Sequence, residues 1–253
     1  MNYGDKYSLK KAMLNEAGAA SERQERGLID AINAVASKDS PVEVRSGDAV
    51  LKNVVGAGKR EGMSALGKEP YTDVEIYLAD GTTLNVSAKG DSAPSLAGGG
   101  LRALNMLLPD LIADFLQKAV KELLAQGYQK GDLGVNDVYG KISDSDSLIA
   151  LRGNEDMGGP IDYMYQGPMD VTAEYGDGFV AVNGRFSNIE DYADSHTLYL
   201  RARKRRNDQP FDPDMVDRGG LPSLFGKSPS KGDSNRRIVV AEKAPAKAII
   251  VEI

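Results

Sequence analysis

The chain has 253 residues, 27% of them charged, with a net charge of −6 and no cysteine. Disulfides and thiolate metal sites are excluded, and a single histidine, His196, rules out multi-histidine metal centres. No apolar run approaches the ~20 residues that cross a bilayer, so no membrane partner is expected; the acidic balance argues against polyanion binding by the whole surface and leaves room for a local basic groove.

In chain order, residues 1–20 read as a short helical arm ending near Gly18, with no apolar signal core. Ser21, with Gln24 three residues on, resembles a capping box. Leu28, Ile29, Ile32 and Val35 follow as the apolar stripe of a helix running to about Ala36, with Glu22 and Glu25 in its first turn. A strand is expected within 41–55 and a Gly- and Lys-rich loop over 56–70. A hairpin occupies 71–90. A long helix then runs from Leu101 to about Ala125, broken or kinked at Pro109. From about 145 the runs SLIAL, DYMY, GFVAV, TLYLRAR, RRIVV and AIIVEI read as strands between turns, interrupted by a long Pro-, Gly-, Ser- and Asp-rich loop over 207–235. This order predicts a mixed α/β (α+β) fold with an arm at 1–20, a core at 21–143 and a strand-rich C-terminal extension at 144–253.

The hairpin carries the chemistry. Val74, Ile76 and Leu78 alternate with polar residues, as do Leu84, Val86 and Ala88, the period-2 pattern of two half-buried strands. A loop of Asp80-Gly81-Thr82 would set Val74 opposite Ala88, Ile76 opposite Val86 and Leu78 opposite Leu84. On the other face Asp73 would then face Lys89 and Glu75 would face Ser87, with Cβ atoms roughly 5 Å apart. Two carboxylates and an amine on one patch suit a hard cation such as Mg²⁺ or Mn²⁺.

An Asp at the head of one hairpin strand and Ser87-Ala88-Lys89 on the next resembles the PD-(D/E)xK, restriction-endonuclease-like nucleases, over about residues 20–125. The resemblance implies a core with a central hairpin flanked by helices. It implies Asp73, Ser87 and Lys89 as catalytic residues, Asp73 and Glu75 as metal ligands, and Glu22 or Glu25 as the upstream helical acid. Ser87 stands where the family has an acidic residue, an S-x-K variant that removes one usual ligand and that Glu75 would compensate. The implied activity is cleavage of DNA phosphodiesters, assisted by a cation that neutralises developing charge and acidifies water.

Arg201, Arg203, Lys204, Arg205 and Arg206 form the densest basic run, with Arg201, Arg203 and Arg205 on the same strand face as Tyr199. They are the candidate DNA contacts; the alternatives are a charged edge strand or an arm for an acidic partner. Gly90–Gly100 lacks the GK[ST] ending of a nucleotide-binding loop and reads as a backbone clamp beside the patch or as a connector. The overall style, including DSNRRIVV before an apolar C-terminus, is similar to uncharacterised tailed-bacteriophage proteins, some of them virion components. The second expectation is therefore a non-enzymatic virion or assembly protein that keeps the nuclease-like fold as an inactive scaffold, its loop at 207–235 wrapping a neighbour, with a homo-oligomer or virion neighbours as partners. The corresponding locations are the bacterial cytoplasm, favoured by the lack of cysteine, or the virion.

Overall fold

A computed structural model describes residues 19–67, 69–91, 96, 100–204, 206–217, 220–230 and 236–253. Of the arm expected at 1–20, residues 1–18 lie outside the described residues, and 19 and 20 belong to the first helix. The fold is mixed α/β, with two mixed sheets. Among the described residues no helix is long and apolar enough to cross a membrane.

The helix at 19–33, α1, starts before Ser21, so Ser21 and Gln24 lie inside it and form no capping box. Leu28, Ala31 and Ile32 are its buried stripe. They pack on a sheet built from β1 (Val42–Ser46), β2 (Ala49–Lys59), β3 (Val74–Leu78) and β4 (Thr83–Gly90). β2 runs through Gly56, Ala57 and Gly58, where a loop was expected, and the small residues have a steric reason. A Cβ at Gly58 would lie 2.5 Å from the Tyr77 hydroxyl, and one at Gly56 would lie 3.2 Å from Asn33 Oδ1. Asn33 bonds both backbone groups of Ala57, at 2.8 Å each, fastening α1 to this strand.

The second half of the chain is not a separate extension. By compactness the chain forms two interleaved units, and no boundary falls at 143. Unit one comprises 1–63, 72–93 and 158–189; unit two comprises 64–71, 94–157 and 190–253.

Unit two begins with α2 (Gly100–Leu107) and α3 (Pro109–Ala125), so the expected long helix breaks at Pro109; Leu108 sits at φ −136° and ψ 60°, outside the helical region. β5 (Val138–Lys141) follows, then α4 (Asp144–Arg152), which replaces the strand expected at SLIAL. Ser143 caps α4 by accepting the Asp146 N–H at 3.1 Å, Asp144 and Asp146 favour its positive end, and Arg152 favours its last turn.

In unit one, β6 (Tyr163–Gly167), β7 (Ala173–Gly176), β8 (Phe179–Val182) and β9 (Arg185–Asn188) complete an eight-stranded sheet of order β7-β8-β1-β2-β3-β4-β6-β9. β6 lies parallel to β4, which makes the motif-bearing strand interior to the sheet. In unit two, α5 (Ile189–Ser195), β10 (Tyr199–Lys204), β11 (Arg236–Ala241) and β12 (Ile249–Glu252) follow, and the four-stranded sheet runs β11-β10-β5-β12. The described part of 207–235 folds back on itself: Gln209, Phe211, Leu224, Phe225 and Ser228 are buried, and Phe211 bridges Phe225.

The β3–β4 hairpin forms with its predicted faces and a different register. Val74 pairs with Val86, Ile76 with Leu84 and Tyr77 with Thr83. The loop is Ala79-Asp80-Gly81, one residue earlier than expected. Gly81, at φ 87°, takes the left-handed last position of the loop, donating to the Leu78 carbonyl at 3.0 Å while Leu78 N–H donates to the Thr82 carbonyl at 2.9 Å. A three-residue loop places its left-handed residue last, and only the earlier loop puts glycine there. The pairing moves by two residues, which preserves the buried face. Because a Cβ at Gly81 meets nothing within 4 Å, Gly81→Ala tests backbone conformation alone. It is expected to destabilise the chain by roughly 1 kcal/mol, read as a lowered urea midpoint; an unchanged midpoint would contradict this turn.

Candidate active site

The altered register sets Glu75 opposite Asn85, and Lys89 beyond the end of the ladder. Asp73 N–H donates to the Val86 carbonyl at 2.9 Å, which fixes Asp73 at the head of β3 beside Ser87. One oxygen, Asp73 Oδ2, then accepts three hydrogen bonds: from Ala88 N–H at 2.7 Å, Lys89 Nζ at 3.0 Å and Ser87 Oγ at 3.1 Å. The described contacts of this carboxylate all fall on Oδ2. Asp73, Ser87 and Lys89 are thus brought together, with Lys89 arriving along the diagonal instead of from the position directly opposite. Charge-assisted hydrogen bonds contribute about 1.5–3 kcal/mol each, against less than about 1 kcal/mol for an exposed ion pair. The Asp73 and Lys89 side chains are only 23% and 21% exposed, so the cluster is held in place.

α1 closes the site from the side. Gln24, 1% exposed, donates from Nε2 to the carbonyls of Gly167 at 2.8 Å, Lys89 at 3.1 Å and Pro168 at 3.2 Å. Its Oε1 is buried without a hydrogen-bond partner among the described residues. The next residue, Glu25, pairs with Lys59 at 2.8 Å. Burial raises the Glu25 carboxyl above its ordinary value; the Lys59 hydrogen bond opposes this, the Asp73 charge adds to it and the Lys89 charge opposes it. Of the two upstream acids, Glu25 is therefore the one within electrostatic reach of Asp73 and Lys89, while Glu22 is exposed. Glu75 bonds Arg60 at 2.5 Å and accepts from the Tyr77 hydroxyl at 3.3 Å. It does not compensate for Ser87 as the predicted register implied.

Among the described residues no three His, Cys, Asp or Glu side chains stand close enough together to hold a metal ion. An ion that keeps several waters, such as Mg²⁺, needs only one or two carboxylates. Asp73, through the oxygen its three donors leave open, and Glu25 are the two carboxylates concerned.

The basic run makes internal contacts in unit two. Arg201 Nη2 bonds Asp137 Oδ2 at 2.7 Å and Arg201 lies 5.6 Å from the Tyr139 ring centre. Lys204 donates to the Leu133 carbonyl, and burial pushes its ammonium pKa down. β10 is an interior strand, so the run is not a protected edge. Arg203 and Arg206 also have partners, and Arg205 lies outside the described residues, as does most of the glycine-rich stretch after Lys89.

Sequence reasoning missed Gln24, Lys59 and Arg60. The glycines of β2 hid the strand that delivers Lys59, and Gln24 was spent on a cap. No known protein family, curated protein or solved structure matches the chain, so the site is read from its own geometry.

An acid whose folded pKa exceeds its unfolded one adds stability that is complete below the unfolded value and is lost as pH rises through the folded value. Glu25→Gln, fixed in the neutral form, is expected to resist urea better than the wild type at about pH 8, with the difference vanishing near pH 3, below both the folded and the unfolded value. A difference independent of pH would contradict the burial of the Glu25 charge.

Proposed function

We propose that the chain is a metal-dependent DNA endonuclease or related DNA-processing enzyme of restriction-endonuclease-like type. The observation that carries this reading is the convergence of Ser87 Oγ and Lys89 Nζ on one oxygen of Asp73, with Glu25 of α1 within electrostatic reach. These residues, with Ser87 in place of the family's acid, lie on the elements that the resemblance implies: helix, strands, then hairpin. Asp73 and Glu25 would hold a Mg²⁺ or Mn²⁺, which would supply charge neutralisation and an acidified water. Lys89 carries three donors, spends one on Asp73 and keeps two for the attacking water or a phosphate oxygen. Ser87 donates to Asp73 and offers its lone pairs to the same water, a weaker role than the ligand that an acid would fill there.

One observation favours a second reading, a catalytically silent virion or assembly component. Each acid of the site is already matched by its own cation: Glu25 by Lys59, Asp73 by Lys89 and Glu75 by Arg60. Stable association with purified particles, or self-assembly, would support that reading.

The test is incubation of supercoiled plasmid with the chain and Mn²⁺. We expect nicking that falls by about 100-fold or more in Lys89→Ala and Asp73→Asn, the usual scale for removing a positioned proton-handling group. Ser87→Glu, which restores the family's acid, is expected to raise the rate. Absence of nicking in both the wild type and Ser87→Glu would favour the silent reading.

A further inference from the structure

Lys59 and Arg60 are adjacent at the end of β2, where neighbouring side chains of an extended backbone diverge to opposite sides. Their pairs share an asymmetry. Lys59 is 55% exposed against 12% for Glu25, and Arg60 is 44% exposed against 17% for Glu75. In both pairs the cation stands toward solvent with the acid behind it, whereas Lys89 and Asp73 are equally sheltered. An anion approaching either pair therefore meets the cation before the acid paired with it, with one further exposed carboxylate, Glu61, next to Arg60 in the chain. Pairs with so exposed a member are weak, which makes them exchangeable. In the richer basic run, by contrast, Arg201 is committed to Asp137 and Lys204 to a backbone carbonyl.

We propose, on the basis of the nuclease reading, that Lys59 and Arg60 are the site's contacts to the DNA phosphate backbone, seated on Glu25 and Glu75 until substrate arrives. In the free chain they neutralise the acids. When nucleic acid and cation bind together, the two side chains move to phosphates and Glu25 is released to the cation. Binding of DNA and of metal then support each other, since each vacates a partner the other needs.

The experiment uses the full chain at about pH 8, well above the ordinary carboxylate range, in two binding measurements that involve no turnover. One is anisotropy of a short fluorescein-labelled DNA duplex with Ca²⁺ across a salt series; the other is calorimetric titration with Mn²⁺ alone. Lys59→Gln and Arg60→Gln should each weaken duplex binding and lower its salt slope by about 0.9. Lys59→Gln should also tighten Mn²⁺ binding by up to about fivefold, because Glu25 loses its competitor. Lys59→Arg and Arg60→Lys, which keep the charge, should retain the wild-type slope, separating charge from any effect on folding. If both Gln variants keep the wild-type slope and Mn²⁺ affinity while Asp73→Asn loses the metal, the inference falls and the nuclease reading stands. If the wild type binds neither Mn²⁺ nor duplex, both fall.

Discussion

The head of β3 is held by a single crowded oxygen. Asp73 Oδ2 collects a backbone amide, a hydroxyl and an ammonium from three consecutive residues of β4, and this arrangement depends on where the hairpin turns. Gly81 is the only loop residue that adopts the left-handed conformation without strain, so the turn closes there and Val74 is matched to Val86. That match sets Asp73 beside Ser87 and leaves Lys89 past the last pair, long enough to reach back along the diagonal. With the glycine one position later, Lys89 would stand directly opposite Asp73, and Ser87 would be drawn toward Glu75.

This explains what could be read in the sequence and what could not. The hairpin and its two faces were legible because burial imposes period 2, and a shift of two residues leaves that period untouched. The register was not, because apolar matching scores both alignments well and only the conformational demand on Gly81 separates them. α4 was mistaken for a strand because Leu148-Ile149-Ala150-Leu151 is a continuous apolar run, although Ser143 with Asp144 and Asp146 is a helix-start signal. β2 was hidden by glycines kept small by Tyr77 and Asn33, contacts that no local pattern reveals. The interleaving of the two units was invisible for a similar reason: β6 joins the first sheet alongside β4, across a long stretch of intervening chain.

Electrostatics ties the site to the function proposed for it. Asp73, Glu25 and Glu75 are each neutralised by a cation of the chain itself, and their surroundings differ. Asp73 is fixed by three donors, whereas Glu25 is buried behind Lys59 and its charged form is disfavoured. A site of this kind is balanced without metal, and it gains an advantage from a divalent cation only if the seated lysine and arginine have somewhere better to go. A phosphate backbone is such a place. The same arrangement without substrate or cation is a set of internal ion pairs, one between α1 and β2, of modest value.

The most direct measurement is diffraction from crystals grown with Mn²⁺ and a short duplex, recorded at a wavelength where manganese scatters anomalously. The account predicts an anomalous peak bonded to the Asp73 carboxylate at about 2.0–2.6 Å, the range for hard cations on oxygen, with Lys59 displaced from Glu25. Manganese sites confined to other parts of the surface, with Asp73 lacking a metal and Lys59 still on Glu25, would contradict it.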